Sequence, residues 1–247
     1  GIGSLLAFLS KDFSAKYLAG SMGFSAGVMI YVSMIELFSQ AKNSLVEHSG
    51  AFTGYLVTIV AFFAGIALIA IIDKFVPSFE NPHEIGVINS DVAYFKNKRL
   101  LRAGVLSALA ITIHNFPEGL STFFAALSNP FLGISIAIAI AIHNIPEGIV
   151  VSIPIYYATQ SKKKAFVYSF LSGFAEPLGA IAGYILLRNF LNQFIFGILL
   201  AAVAGIMVFI SLDELLPTAE KFGEHHVAIY GLICGMGVMA FSLLLLQ

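Results

Sequence analysis

Long apolar stretches separated by short polar ones run the length of the chain. Seven of them, Leu18–Leu37, Tyr55–Ile72, Ala103–Leu127, Leu132–Pro154, Ala165–Leu187, Phe194–Leu216 and Val227–Leu246, have the length of a bilayer-crossing helix. None alternates polar and apolar residues as a membrane strand does. The pattern therefore predicts an all-α, polytopic membrane protein. The opening segment, "GIGSLLAFLS", is too short to span and lacks the basic region of a signal peptide. It reads as the end of a first helix whose start is missing, which brings the expected number of transmembrane helices to eight.

The polar linkers test that count. Numbered from the truncated first helix, the odd linkers hold Lys11, Lys16, Lys74, Lys96, Lys98, Arg99, Arg102, Lys162, Lys163, Lys164 and Lys221. The even linkers hold only Lys42 and Arg188. Basic residues favour the cytoplasmic side, so both termini are expected to face outward. An error of one span would destroy this alternation.

Composition agrees: 58% of residues are hydrophobic and 11% charged, against about 25% charged in soluble domains. A net charge of −1 gives no sign of a nucleic-acid partner, and the single cysteine excludes an intrachain disulfide or a thiolate metal cluster. One transmembrane domain is expected over residues 1–247, with a cytoplasmic loop at about 73–102. His48, His225 and His226 are read as loop residues.

The chain also repeats itself. "AGVMIYVSMIEL" (Ala26 to Leu37) matches "AGIMVFISLDEL" (Ala204 to Leu215) at an offset of 178, sharing Ala, Gly, Met, Ser, Glu and Leu. The two copies lie on the second and seventh helices, which cross in opposite directions, so the repeat is inverted. Inverted repeats mark transporters that bind substrate near the midplane.

The chemistry sits in a second duplication. "HNFPEG" (His114 to Gly119) and "HNIPEG" (His143 to Gly148) fall near the middle of the fourth and fifth helices. On a helix, His114, Asn115 and Glu118 share a face, as do His143, Asn144 and Glu147. A short "SNPF" turn makes the two helices antiparallel, which brings both motifs to one depth. Pro117 and Pro146 cannot donate backbone hydrogen bonds and are expected to kink their helices. Glu176, beside Pro177, lies at the same depth on the sixth helix. An ionisable group at the bilayer centre costs about 2.5–3.5 kcal/mol, and no Lys or Arg stands at that depth to offset three of them. A cation from outside is the economical answer. Imidazole with carboxylate suits Zn²⁺ and its divalent neighbours, and two metals are compatible with bridging by Glu118 and Glu147.

These motifs, with "AEPLG" after them and with "GFSAGVMIYVSMIEL", "AAVAGIMVFISLDELLP" and "YGLICGMGVMAFSLLLLQ" elsewhere, closely resemble the ZIP (Zrt/Irt-like) metal transporters, the bacterial branch in particular. The resemblance implies eight helices in an inverted 3+2+3 arrangement and a binuclear centre. Its first site would use His114, Glu118, His143 and Glu147, with Met29. Its second would use Asn115, Glu118, Asn144, Glu147 and Glu176. Some relatives have Asp in place of Asn144, so the amide here leaves one or two metals open. The cytoplasmic loop holds only His83, unlike the histidine-rich loops of many eukaryotic relatives.

The resemblance also gives Glu36 the position that gates metal entry. Glu36 follows Met29 by seven residues on one helix face, and its repeat partner Glu214, with Asp213, stands at the opposite mouth. Acidic groups at both ends would concentrate cations. The expected activity is import of divalent metals into the cytoplasm, Zn²⁺ first, with Fe²⁺, Mn²⁺, Co²⁺ and Cd²⁺ as alternatives that accept the same ligands. The metal is transported ligand, with no prosthetic group expected. The lipid bilayer is the other partner, and a homodimer is left open. The competing class is a zinc-dependent intramembrane hydrolase, although no HExxH-type signature is present.

Overall fold

The computed structural model describes residues 1–9, 15–75, 93–128, 130–187, 192–222 and 225–245. Lys11, His83 and Arg188 lie outside them. Every described element is helical: α1 (Ile2–Leu9), α2 (Ala15–Tyr31), a π-helical segment π1 (Val32–Leu37), α3 (Phe38–Ser49), α4 (Ala51–Phe75), α5 (Ala93–Ser128) and α6 (Pro130–Thr159). There follow α7 (Lys162–Gly173), α8 (Ala175–Leu187), α9 (Gln193–Ile210), a second π segment π2 (Ser211–Leu215), α10 (Leu216–Phe222) and α11 (His225–Leu245).

Six stretches among the described residues are long and apolar enough to cross a membrane: Ala19–Ser49, Ala51–Ile72, Ile136–Thr159, Lys162–Ile185, Gln193–Glu220 and His225–Leu244. The chain is thus a polytopic membrane protein. The expected span Ala103–Leu127 is not one of the six, but it lies whole within α5. The outward faces of α4 (Phe52, Leu56, Val60, Phe63, Leu68) and α11 (Ile233, Phe241, Leu244) expose large apolar side chains, as a lipid-facing surface requires.

Several boundaries differ from the sequence reading. The loop expected at 73–102 is shorter, because α4 runs to Phe75 and α5 begins at Ala93. The 36 residues of α5 extend roughly 54 Å, well beyond a hydrocarbon core of about 30 Å. Lys96, Lys98, Arg99 and Arg102 thus fall within a helix rather than a loop. The second span likewise continues past Leu37 as α3, whose polar "FSQAKNS" needs no membrane to remain helical. His48 ends α3, and His225 and His226 open α11, so all three are helical rather than loop residues.

A proline's effect on the backbone shows most plainly outside the paired motifs. Both α5 and α6 are unbroken at Pro117 and at position 146. The interruption falls instead on the sixth span, at Phe174 between α7 and α8. Pro177 explains it: four residues earlier stands Gly173, whose carbonyl a proline cannot bond and its ring crowds. Phe174 N–H tightens onto Leu171 O (3.2 Å) as well as Phe170 O (3.0 Å), ending α7 in a narrow turn.

The repeat seen in sequence has a counterpart in backbone geometry. Ser33 Oγ donates to Met29 O (2.6 Å) and Ser211 Oγ to Met207 O (2.7 Å). Ser33 O accepts from Phe38 N–H and Ser211 O from Leu216 N–H, each a bond across five residues. The three pairs of positions, 29 and 207, 33 and 211, 38 and 216, are related by the same offset of 178. A π turn holds more residues than an α turn, so the seven-residue spacing no longer sets Glu36 directly over Met29.

Packing repeats as well. A Cβ at Gly27 would lie 2.0 Å from Leu232 O, and one at Gly205 2.1 Å from Phe62 O. Only glycine permits main chains to approach so closely, the usual device of helix association in lipid. Thus α2 lies against α11, and α9 against α4. Around these contacts an apolar cluster joins Val28, Met29, Leu200, Met207 and Met239 to Ile136 and Ile140 of α6.

Candidate metal centre

The paired motifs come together where α5 packs between α6 and α8. Glu118 of α5 is 0% exposed and Glu147 of α6 is 2% exposed, while Asn115 is buried at 1%. Glu176 falls in the first turn of α8, where the positive end of a helix dipole favours a carboxylate. Its position is fixed by main chain: a Cβ at Gly119 would lie 1.9 Å from Glu176 O, and one at Gly179 2.0 Å from Phe116 O. These two glycines let α5 and α8 touch backbone to backbone beside the acidic group.

The two amides are oriented by their donors. Asn144 Nδ2 donates to Glu176 Oε1, and Asn115 Nδ2 donates to Ser172 O at 3.2 Å. Asn115 Oδ1 and Asn144 Oδ1 are then buried with no hydrogen-bond partner among the described residues. With one N–H of each amide held in this way, Oδ1 of both remains available as an acceptor or ligand. A cavity of about 440 Å³ opens here, lined by Asn115, Asn144, Glu147, Glu176, Ser169 and Ser172 among others. Among the described residues no Lys or Arg lines it. Its polar side chains bring carboxylate, amide and hydroxyl oxygens, a lining suited to a hard cation or its hydration shell.

The other sequence candidates are distributed as follows. His114 and His143 stand on α5 and α6 beside the two Asn–Glu pairs, and their side chains lie outside the described ones. Met29 is fully buried in the apolar cluster, where Ile113 and Ile142, the residues just before those histidines, pack against it. It does not line the cavity. Glu36 in π1 is half-buried and accepts from Gln40 Nε2; Asp213 and Glu214 in π2 are also half-buried. None of these three reaches the cavity. At the far end, His225 Nδ1 pairs with Glu220 Oε1 at 2.7 Å, away from the centre. Among the described residues, no three His, Cys, Asp or Glu side chains form a ready metal cluster.

Two features escaped the sequence reading. Ser169 and Ser172 join the site from α7, and their signal was the "SFLSGFAEP" spacing that places them seven and four residues before Glu176. The glycine after each "PE" was visible but carried no stated role. Gly119 turns out to admit α8, and Gly148 stands near Ser169.

Residues 89–243, which include both HN-PEG motifs and Glu176, match the model of the family described as ZIP Zinc transporter. The chain is 63% identical over 247 residues to the zinc transporter ZupT of Chlorobium chlorochromatii, covering 99% of this chain and 92% of that protein. It is 62% identical over 259 residues to ZupT of Clostridium perfringens, covering 99% and 91%. For ZupT of Streptococcus mutans the identity is 60% over 245 residues, covering 99% and 92%. The family is one of transporters and not of enzymes, which sets aside the hydrolase reading. Buried carboxylates and amides gathered inside a helical membrane protein, together with similarity across nearly the whole chain, lead to one conclusion: the chain belongs to the ZIP family of zinc transporters.

Proposed function

We propose that the protein imports divalent metal ions, chiefly Zn²⁺, into the cytoplasm of a bacterium across its inner membrane, moving them down an existing gradient or one coupled to it. The observation that carries this reading is the burial of Glu118 on α5 and of Glu147 on α6 near the Asn144–Glu176 pair. Acidic groups at that depth are functional by default, and a passing dication is the partner that offsets their cost. His114, Glu118, His143, Glu147 and Met29 form the first site. Asn115, Glu118, Asn144, Glu147 and Glu176 form the second. Glu36 guards entry, and Asp213 and Glu214 guard exit. Fe²⁺, Mn²⁺, Co²⁺ and Cd²⁺ are alternative cargo for the same donors.

The proposed architecture is one transmembrane domain of eight helices in an inverted 3+2+3 arrangement, with both termini outward. The matching π segments and the matching glycine contacts of α2 and α9 support it. Purified protein in proteoliposomes is expected to take up Zn²⁺ along an imposed gradient. The reading fails if no Zn²⁺ enters, or if wild type and Glu118→Ala behave alike.

Asn144→Asp is a separate test of the second site. It adds a negative charge where an amide now stands, so a second ion is expected to bind about tenfold more tightly, because charge count tunes affinity in oxygen sites. Equilibrium dialysis with Cd²⁺ measures this, and an unchanged isotherm would remove position 144 from the site.

A further inference from the structure

Ser169 has no part in the ligand sets assigned above, yet its surroundings are those of a metal-centre residue. It is 2% exposed, and its Oγ has no hydrogen-bond partner among the described residues. That is uncommon for a helical serine in this protein, where Ser33, Ser172 and Ser211 each return their hydroxyl to a carbonyl three or four residues back. A buried hydroxyl left unsatisfied is costly, and a polar cavity usually supplies its partner as water. Ser169 lines the same cavity as Asn115, Asn144, Glu147 and Glu176. Across the helix boundary, a Cβ on Gly148, the residue after Glu147, would stand 3.0 Å from Ser169 Oγ. Glycine at 148 therefore keeps the space beside that hydroxyl open.

Size and position add to this. A dication with six first-shell waters fills roughly 200 Å³ at about 30 Å³ per water, which the cavity of about 440 Å³ accommodates. Met29, the soft donor, lies in the apolar cluster and outside this cavity, so among the described side chains the cavity's ligand atoms are oxygens.

We propose that Ser169 is a positioning residue of the second metal site: its hydroxyl holds a water bound to the cation at the Asn144–Glu176 end of the cavity, so that this ion is kept partly hydrated. The proposal rests on the two-site reading given above. It makes the second site harder and wetter than the first, with ligands from α5, α6 and α8 and an outer partner from α7.

Metal binding to the purified full chain tests it, with Zn²⁺ and Cd²⁺ as probes in equilibrium dialysis. Wild type is expected to bind two ions. Ser169→Ala should leave the tighter ion unchanged and weaken the other about tenfold, the low end of what loss of an outer-shell partner costs. Ser169→Cys places a soft donor at the same point and should shift the weaker site toward Cd²⁺ over Zn²⁺, a change that mere packing would not produce. Both variants are read in a Cys234→Ser background, since Cys234 is exposed. If wild type binds two ions and neither variant alters the second affinity or its Cd²⁺/Zn²⁺ preference, the role of Ser169 is overturned and the two-site reading stands. If wild type binds only one ion, both fall together.

Discussion

Glu118→Gln is expected to abolish zinc uptake while leaving the protein folded in the membrane. The side chain is fully buried, and the next residue along α5, Gly119, lies against Glu176 O of α8. Gln keeps its volume and removes its charge. Transport should fall roughly a hundredfold or more, since loss of an outer-shell partner alone costs 10–100-fold in affinity. Stability should move the other way in the absence of metal, because an ionised carboxylate at that depth costs about 2.5–3.5 kcal/mol and an amide costs less. Zn²⁺ should raise the thermal stability of wild type, by about 2.7 kcal/mol at a hundred times its Kd, and should scarcely stabilise the variant. Uptake into proteoliposomes and thermal unfolding in detergent, each with and without Zn²⁺, give the four required measurements. A Gln variant that transports like wild type would remove Glu118 from the centre.

Gly119→Ala should be nearly as damaging, by a mechanism with no charge in it. The added methyl would begin 1.9 Å from Glu176 O, and that obstacle is main chain, which cannot swing aside. The helices must separate by more than an ångström, carrying Glu176 away from Asn144. Overpacking of this kind costs about 1–3 kcal/mol, and displacement of a ligand by an ångström can cost on the order of a hundredfold in rate. Gly179→Ala, set against Phe116 O at 2.0 Å, should behave the same way. Gly173→Ala is the control, because a Cβ there meets nothing within 4 Å although Gly173 lines the same cavity. Equal uptake and equal melting temperatures for Gly119→Ala and Gly173→Ala would show that the α5–α8 contact does not hold the centre.

How much of this was readable beforehand follows from the range of each force. The helices and the repeat were legible because apolar length and identical letters are local properties. Burial of Glu118 and Glu147 was legible too, since a carboxylate in mid-span has few alternatives to an inward face. Contacts between main chains were not: Gly119 and Gly148 look equivalent in sequence, yet one admits the backbone of α8 and the other that of α1 at Gly3, beside the Ser169 hydroxyl. The break ahead of Pro177 was not legible for a related reason. Whether a missing N–H breaks a helix depends on what else can bond or shield the freed carbonyl, and only Pro177 faces a glycine four residues back. The register shift between Met29 and Glu36 depends on a π turn, which no hydrophobic period announces.

The twin π segments bear on the symmetry of the fold. At each of them a serine carbonyl takes the five-residue bond while its hydroxyl returns to a methionine carbonyl four residues back. A rearrangement of one segment alone would remove this equivalence, so the two halves stay alike at these positions only when both segments change together.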